Sequence, residues 1–308
     1  MKIKDLEYYQ QLIKDQNFSK VAQHFGVSQP TITMAIQRLE QDFNTTFFVR
    51  DHVHRELHVT ATGQQFANHV DLILNELQVA KKEIDRANAT KIRFGLPPII
   101  GNYYFPPLTP RLMRHQLMPD LETYEHGSRE LLKMLQHGDL DMALLGSLAP
   151  LKETRLKAQE LARFPFQVIV GTDHPLAKQR TVDFTSLKNE QFIIPDTEFF
   201  HDQAFKQMCR RAHFRPRILY RTADIHVIKA MVSENLGITF LTSLAVEKGD
   251  NVKQVAISGP DQPIFHLSVA MRETEELTPR KQELWDLLTN KALCQSVRME
   301  RFLRTRLS

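Results

Sequence analysis

The chain has 308 residues, 42% of them hydrophobic and 25% charged, with 40 Lys and Arg against 36 Asp and Glu and a formal net charge of +4. That balance excludes a disordered chain, a polycationic arm and a single small domain, and about two or three domains are expected. Two cysteines, Cys209 and Cys294, exclude a multi-bridge disulfide framework; with no apolar segment after Met1 and no run of about 18 apolar residues, the expectation is a cytoplasmic protein that spans no membrane.

Residues 1–89 hold ten basic and eleven acidic side chains, so any attraction of this part for nucleic acid must come from local placement. Leu6, Tyr9, Leu12 and Ile13 recur at helical spacing and predict a helix over 4–16. Ser19 is the expected N-cap of a short second helix that buries Val21, Ala22 and Phe25 and ends at Gly26. Ser28 is the expected N-cap of a third, with Pro30 in its first turn and Ile32, Ile36 and Leu39 as its buried stripe. Two helices around a glycine turn, the second with a short polar outer face, have the composition of a helix-turn-helix. An ordinary amphipathic pair in a bundle has it too.

In the helix-turn-helix reading, Ser28, Gln29, Pro30, Thr31, Thr33, Met34 and Gln37 face base edges in a major groove about 12 Å wide. Apolar segments 47–50 and 57–60 flank a polar tip and predict a hairpin, the wing of a winged helix. Arg38, Arg50, His54 and Arg55 are the candidates for phosphate or minor-groove contact. His52, His54 and His58 are loosely spaced with no cysteine near, so no metal site is assigned.

Phe66, Val70, Ile73, Leu77, Ala80, Ile84 and Ala87 step by four and three over residues 61–89, an unbroken a/d seam. A long helix with so narrow a stripe pairs with its own copy or lies on its own domain. The first is the expectation, because two reading heads match a two-fold DNA site.

From residue 92 the pattern changes. Strands are predicted at 92–96, 121–124, 141–146, 166–171, 192–195, 218–222 and 237–241. Helices are predicted near 103–115, at 128–137 capped by Ser128, and at 200–212, 225–234 and 278–294. Such alternation predicts one or two mostly parallel sheets. The sequence has no Gly-x-Ser-x-Gly, no phosphate-cradling glycine loop and no His-Glu-x-x-His, so an enzyme is not expected. Cys209, in an amphipathic helix, is expected to be a buried structural thiol.

Four segments in order resemble the LysR-type transcriptional regulators: Phe18-Ser19-Lys20-Val21-Ala22-Gln23 with Val27-Ser28-Gln29-Pro30-Thr31-Ile32-Thr33 and Gln37-Arg38-Leu39-Glu40; Leu57-His58-Val59-Thr60-Ala61-Thr62-Gly63; Leu135-Gln136-His137-Gly138-Asp139-Leu140-Asp141-Met142-Ala143-Leu144; and Asp173-His174-Pro175-Leu176-Ala177. Within the family, Ser28–Thr33 with Ala35–Glu40 is similar to malolactic-fermentation regulators of lactic acid bacteria.

The resemblance implies an α+β multidomain chain. Residues 1–60 would be a winged helix-turn-helix and 61–89 a dimerisation linker helix. Residues 90–308 would be a periplasmic-binding-protein-like α/β effector domain, with one subdomain at about 91–162 and 267–292 and the other at about 163–266. It implies promoter DNA, RNA polymerase and the chain itself as partners, as a dimer or homotetramer. It implies no cofactor, only a small organic effector such as malate between the subdomains. The cleft residues carried over are Pro97, Pro98, Ile99, Ile100, Ser128, Phe199, Phe200, His201, Asp224 and His226. The family's usual serine is replaced by Pro97, which offers neither a hydroxyl nor an N–H. Ser128, at a helix start, suits an anion or is a plain cap. His201 is placed to pair with an acidic effector or to be solvated. Two rival readings stand beside this one: a solute-binding or enzymatic domain with an incidental winged helix, and an architectural DNA-binding protein without an effector.

Overall fold

The computed structural model describes residues 1–50, 56–86, 89–196, 199–275 and 277–290, all but the side chain of Arg50. The expectations for His52, His54, Arg55, Ala87, Cys294 and the last turn of the final helix lie outside these residues. The chain divides into two compact units, Met1–Asn88 and Ala89–Ser308.

The first unit runs α1 (Ile3–Asp15), α2 (Phe18–Phe25), α3 (Gln29–Asp42), β1 (Phe48–Arg50), β2 (Leu57–Val59) and α4 (Ala61–Asp85). Its core forms where Leu6, Tyr9 and Leu12 of α1, Val21 of α2 and Ile32, Ile36 and Leu39 of α3 meet Phe47, Phe48 and Leu57. The α2 cap is Asn17, not Ser19: its Oδ1 accepts from the backbone N–H of Ser19 at 2.9 Å and of Lys20 at 3.0 Å. The earlier cap brings Phe18 into the helix and against the core. Ser28 caps α3 as expected, its Oγ accepting from Thr31 N–H at 3.4 Å. The predicted hairpin forms, with Phe48 opposite Val59 and Arg50 opposite Leu57. Thr60 then caps α4 through the N–H of Gly63 at 2.9 Å. A Cβ on Gly63 would lie 2.5 Å from the Phe47 carbonyl oxygen, so only glycine lets the hairpin close on the helix.

The α4 seam is not used as a single stripe. Phe66 stacks on Phe47 at 4.6 Å and Val70 is fully buried, both in the core of their own unit, as are Ala67 and Leu74. Ile73, Leu77, Ala80 and Ile84 remain exposed, Ile84 at 75%. A straight helix drifts about 20° per heptad against a strict 3.5 repeat. Its first turns therefore serve the head while the later ones turn away from it.

The second unit holds β3 (Ile92–Gly95), α5 (Pro98–Tyr103), α6 (Thr109–Arg114), β4 (Leu121–Tyr124), α7 (Ser128–Gln136), β5 (Met142–Ser147), β6 (Leu156–Gly171), β7 (Thr181–Val182), β8 (Gln191–Pro195), α8 (Phe200–Arg211), β9 (Arg217–Thr222), α9 (Ile225–Ser233), β10 (Thr239–Thr242), β11 (Val252–Ile257), β12 (Ile264–Arg272) and α10 (Pro279–Thr289). The expected helix over 103–115 is broken in two, because Pro106, Pro107 and Pro110 interrupt it with a 3-10 turn.

The sheet is mixed rather than mostly parallel. Strands run in the order β4-β3-β5-β12-β6-β11-β7, with β10 also on β6 and a parallel β8-β9 pair beside them. β12 is antiparallel to both β5 and β6, and β10 and β11 are antiparallel to β6. The sixteen-residue β6 makes two lobes from one strand. Residues 156–165 pair with β12 in lobe I; residues 166–171 pair with β10 and β11 in lobe II.

The segment 135–144 has a structural role. Its Asp141 is buried and takes Arg93 through three nitrogens, the backbone N–H at 2.7 Å, Nη2 at 2.8 Å and Nε at 3.4 Å, while Gly138 oxygen takes Nη1 at 2.9 Å. Burial alone would raise the Asp141 carboxyl; the Arg93 bonds and the nearby Lys281 outweigh it and leave it below the usual carboxylate range.

Candidate functional sites

The outer face of α3 is where the first unit meets solvent with readable chemistry. Its inner residues Ile32, Ala35, Ile36 and Leu39 are buried, and Gln29, Pro30, Thr31, Met34 and Gln37 are exposed. Thr33 is half-buried and its Oγ1 donates to the Gln29 carbonyl at 3.1 Å. Ser28 and Thr31 share a hydroxyl contact of 2.8 Å, and Ser19 Oγ donates to Gln29 Oε1 at 3.5 Å. The helix-turn-helix thus presents amides, hydroxyls and one thioether on a ridge fixed to a closed core. Such groups are able to read base edges in a major groove.

Arg38, a candidate for phosphate contact, has a partner inside the unit while its side chain stays 40% exposed. Its Nη2 donates to Asp5 Oδ1 at 2.6 Å and its Nε to Oδ2 at 3.3 Å. Asp5 is buried. Burial pushes its carboxyl up, but the Arg38 hydrogen bonds and the Lys2 N–H outweigh that and hold it below its ordinary value. Sequence reading missed Asp5 because one carboxylate on an amphipathic helix reads as solvated.

In the second unit the carried-over residues fall into two groups. The first gathers where α7, β5, β12 and α8 converge. Ser128 is not a cap: Gly127 holds that position without a side-chain bond, and Ser128 Oγ accepts from Gly146 N–H at 2.9 Å. A Cβ on Gly146 would lie 2.2 Å from the Phe265 ring, so glycine lets that ring pass. Phe265 lies 5.5 Å and Phe166 5.2 Å from the His201 imidazole. His201 is buried among these rings, and burial pulls its pKa from 6.5 to about 3. The imidazole is therefore neutral at physiological pH. Its Nε2 has no hydrogen-bond partner among the described residues. The solvated alternative for His201 is overturned by this burial; a neutral imidazole exchanges a hydrogen bond, not a charge. Phe199 and Phe200 are half-buried, Phe199 at the head of α8 and Phe200 beneath the Arg129 guanidinium at 4.9 Å.

The second group joins α5 to α9. Pro97 precedes α5, Pro98 is half-buried, and Ile99 and Ile100 are buried in the core. One turn on, the Tyr103 ring lies 6.0 Å from that of His226. Lys229 Nζ sits 4.6 Å over the same Tyr103 ring and pairs with Asp250 at 2.6 Å. Asp224 caps α9 by accepting from His226 N–H at 2.8 Å, so its carboxylate is engaged. Arg129, Tyr103, Lys229 and Asp250 escaped sequence reading. A signal existed for Arg129, since a cation in the first turn of a helix opposes the helix dipole. Among the described residues, no group of three His, Cys, Asp or Glu side chains is placed to hold a metal ion, and no helix is long and apolar enough to cross a membrane.

Comparison with known proteins bears on both units. Residues 3–64 match the model of the bacterial regulatory helix-turn-helix protein, lysR family, and residues 85–293 match the LysR substrate binding domain. The chain is 32% identical over 289 residues to the malolactic fermentation system transcriptional activator of Lactococcus lactis, covering 94% of this chain and 98% of that one. An OxyR variant of Corynebacterium glutamicum superposes with a TM-score of 0.55 at 18% identity, over 98% of this chain and 94% of that one. The effector binding domain of QuiR in complex with shikimate superposes with a TM-score of 0.56 at 17% identity, over 65% of this chain and 95% of that one.

Proposed function

The chain belongs to the LysR family of transcriptional regulators, with a DNA-binding helix-turn-helix and an effector-binding domain; from that premise we propose that it reads promoter DNA through α3 and answers to a small organic acid held between the lobes of its second unit. The observation that carries the first half is the exposed face Gln29, Thr31, Met34 and Gln37 set against a buried inner face. Selection of duplexes from a random-sequence pool by the full chain tests it. A recovered two-fold motif supports the reading, and an unbiased pool overturns it.

Ile73, Leu77, Ala80 and Ile84 supply the dimer contact, and two dimers make the tetramer. RNA polymerase is the partner at the promoter, in the cytoplasm. The chain needs no cofactor and carries out no catalytic step.

For the effector, the supporting residues are Ser128 at the start of α7 and His201 with its open Nε2. A hydroxyl at a helix start suits one carboxylate, and a neutral imidazole suits an uncharged hydroxyl on the same molecule. Malate, a hydroxy acid, has both groups. The relative that activates malolactic fermentation and the shikimate-bound QuiR domain agree with a hydroxy acid. Calorimetric titration of the full chain with malate and with succinate tests the assignment. Heat with malate and at least about tenfold weaker binding of succinate is expected, worth the about 1.4 kcal/mol of one hydrogen bond. Equal or absent heats overturn it.

A further inference from the structure

A concavity of about 470 Å³ lies along α8. Its lining includes Arg129 of α7, Lys206, Cys209 and Arg210 of α8, and Phe214, Arg215 and Pro216 beyond that helix. The volume falls in the range of small-molecule sites, about 300–1,000 Å³.

Its charge is one-sided. Four cations line it, Arg129, Lys206, Arg210 and Arg215, with one carboxylate, Asp202. Asp202 is buried and already shared, with Lys206 at 2.7 Å and Arg221 at 2.9 Å. Arg129 is held by Gln203 at 2.6 Å and by the Phe200 ring, neither of which cancels its charge. The dipole of α8 accounts for Arg210 in its last turn, but not for Arg215 beyond the helix or for Arg129 against the dipole of α7. Like charges converging on one hollow repel, and an anion in the hollow relieves them. Guanidinium forks match the paired oxygens of phosphate and carboxylate, while Phe214, Pro216 and the Cys209 thiol offer an apolar wall.

We propose that this groove is a second ligand site, separate from Ser128 and His201, for a small polyanion: a phosphate ester or a polycarboxylate of metabolite size.

The test uses the full chain and two probes, citrate and glycerol 3-phosphate, with sodium chloride at matched ionic strength as control. Thermal unfolding and calorimetry should give a saturable Tm rise and 1:1 binding for one or both probes. The double variant Arg210→Ser, Arg215→Ser should lose at least tenfold in that affinity while unfolding normally without ligand. Both side chains are exposed, so the fold does not depend on them. His201→Phe should leave the affinity unchanged, which separates this groove from the interlobe site. Binding by one probe class alone identifies the anion as phosphate or carboxylate. No Tm rise beyond the salt control, or equal binding by the double variant, overturns the proposal. A double variant that loses self-association while wild type binds neither probe also overturns it, by making the groove an interface between copies.

Discussion

Arg38 Nη2 donates to Asp5 Oδ1 at 2.6 Å, so the first helix grips the third from a position thirty-three residues earlier in the chain. The pair ties α1 to the helix that carries Gln29 and Met34. Arg38→Gln should therefore destabilise the head by about 2 kcal/mol, the scale of a hydrogen bond to a charged group. Salt titration of DNA binding should keep its slope, since no phosphate contact is lost. A slope reduced by about one would return Arg38 to the DNA.

Asp5 adds a pH signature to the same contact. Its folded pKa is lowered, so its contribution is present above the unfolded carboxylate value and is lost as pH falls through the folded one. Asp5→Asn should flatten the acid limb of the stability curve of the head, measured by circular dichroism between pH 6 and about 2. An acid limb as steep as that of wild type would mean that the carboxylate is not held by Arg38.

Gln29 stands in the first turn of α3, on the exposed side. Gln29→Ala should cost about 1–3 kcal/mol at one base position and little elsewhere. Competition binding with single-base operator variants measures this. A uniform loss over all sequences would assign Gln29 to the backbone instead.

The two halves of the α4 seam should separate by mutation. Phe66→Ala removes a ring stacked on Phe47 and should lower the Tm of the head, at a cost of about 3–5 kcal/mol. Leu77→Lys places a charge on an exposed position and should leave folding intact while giving smaller assemblies in light scattering. An assembly that survives Leu77→Lys would place self-association in the second unit.

His201 is a base kept neutral by burial, which reverses the usual histidine effect. Between pH 6.5 and about 3 the unfolded chain binds a proton that the folded chain refuses, so stability falls as pH drops through this window. Each unit below 6.5 costs about 1.4 kcal/mol, so about 2 kcal/mol is lost by pH 5. Calorimetry of His201→Phe should show that much less acid sensitivity. An unchanged slope would mean that the imidazole is solvated.

The head was legible in the sequence because each of its helices carries one apolar stripe and a side-chain stop or start signal. The exception, Asn17 for Ser19, arose because both residues can cap and only the packing of Phe18 decides between them. The second unit was less legible. β12 is buried along almost its whole length, so it lacks the alternation that marks a half-exposed strand, and it was missed. β11 was missed as well, and without these two antiparallel strands the sheet read as parallel. The α4 seam was visible as a period, but a period does not say what covers each turn. At the interlobe site, Ser128 and His201 were identified as residues, while their chemistry was not. Neither the Gly146 N–H that occupies Ser128 nor the rings that neutralise His201 are near them in sequence.

The central claim is tested most directly by fluorescence anisotropy with the full chain and labelled DNA from upstream of its own gene, against a shuffled duplex at near-physiological salt. The account predicts a preference of about 10³-fold or more for the native sequence. Equal and steeply salt-dependent binding to both duplexes would contradict it, reducing the α3 face to a non-specific contact.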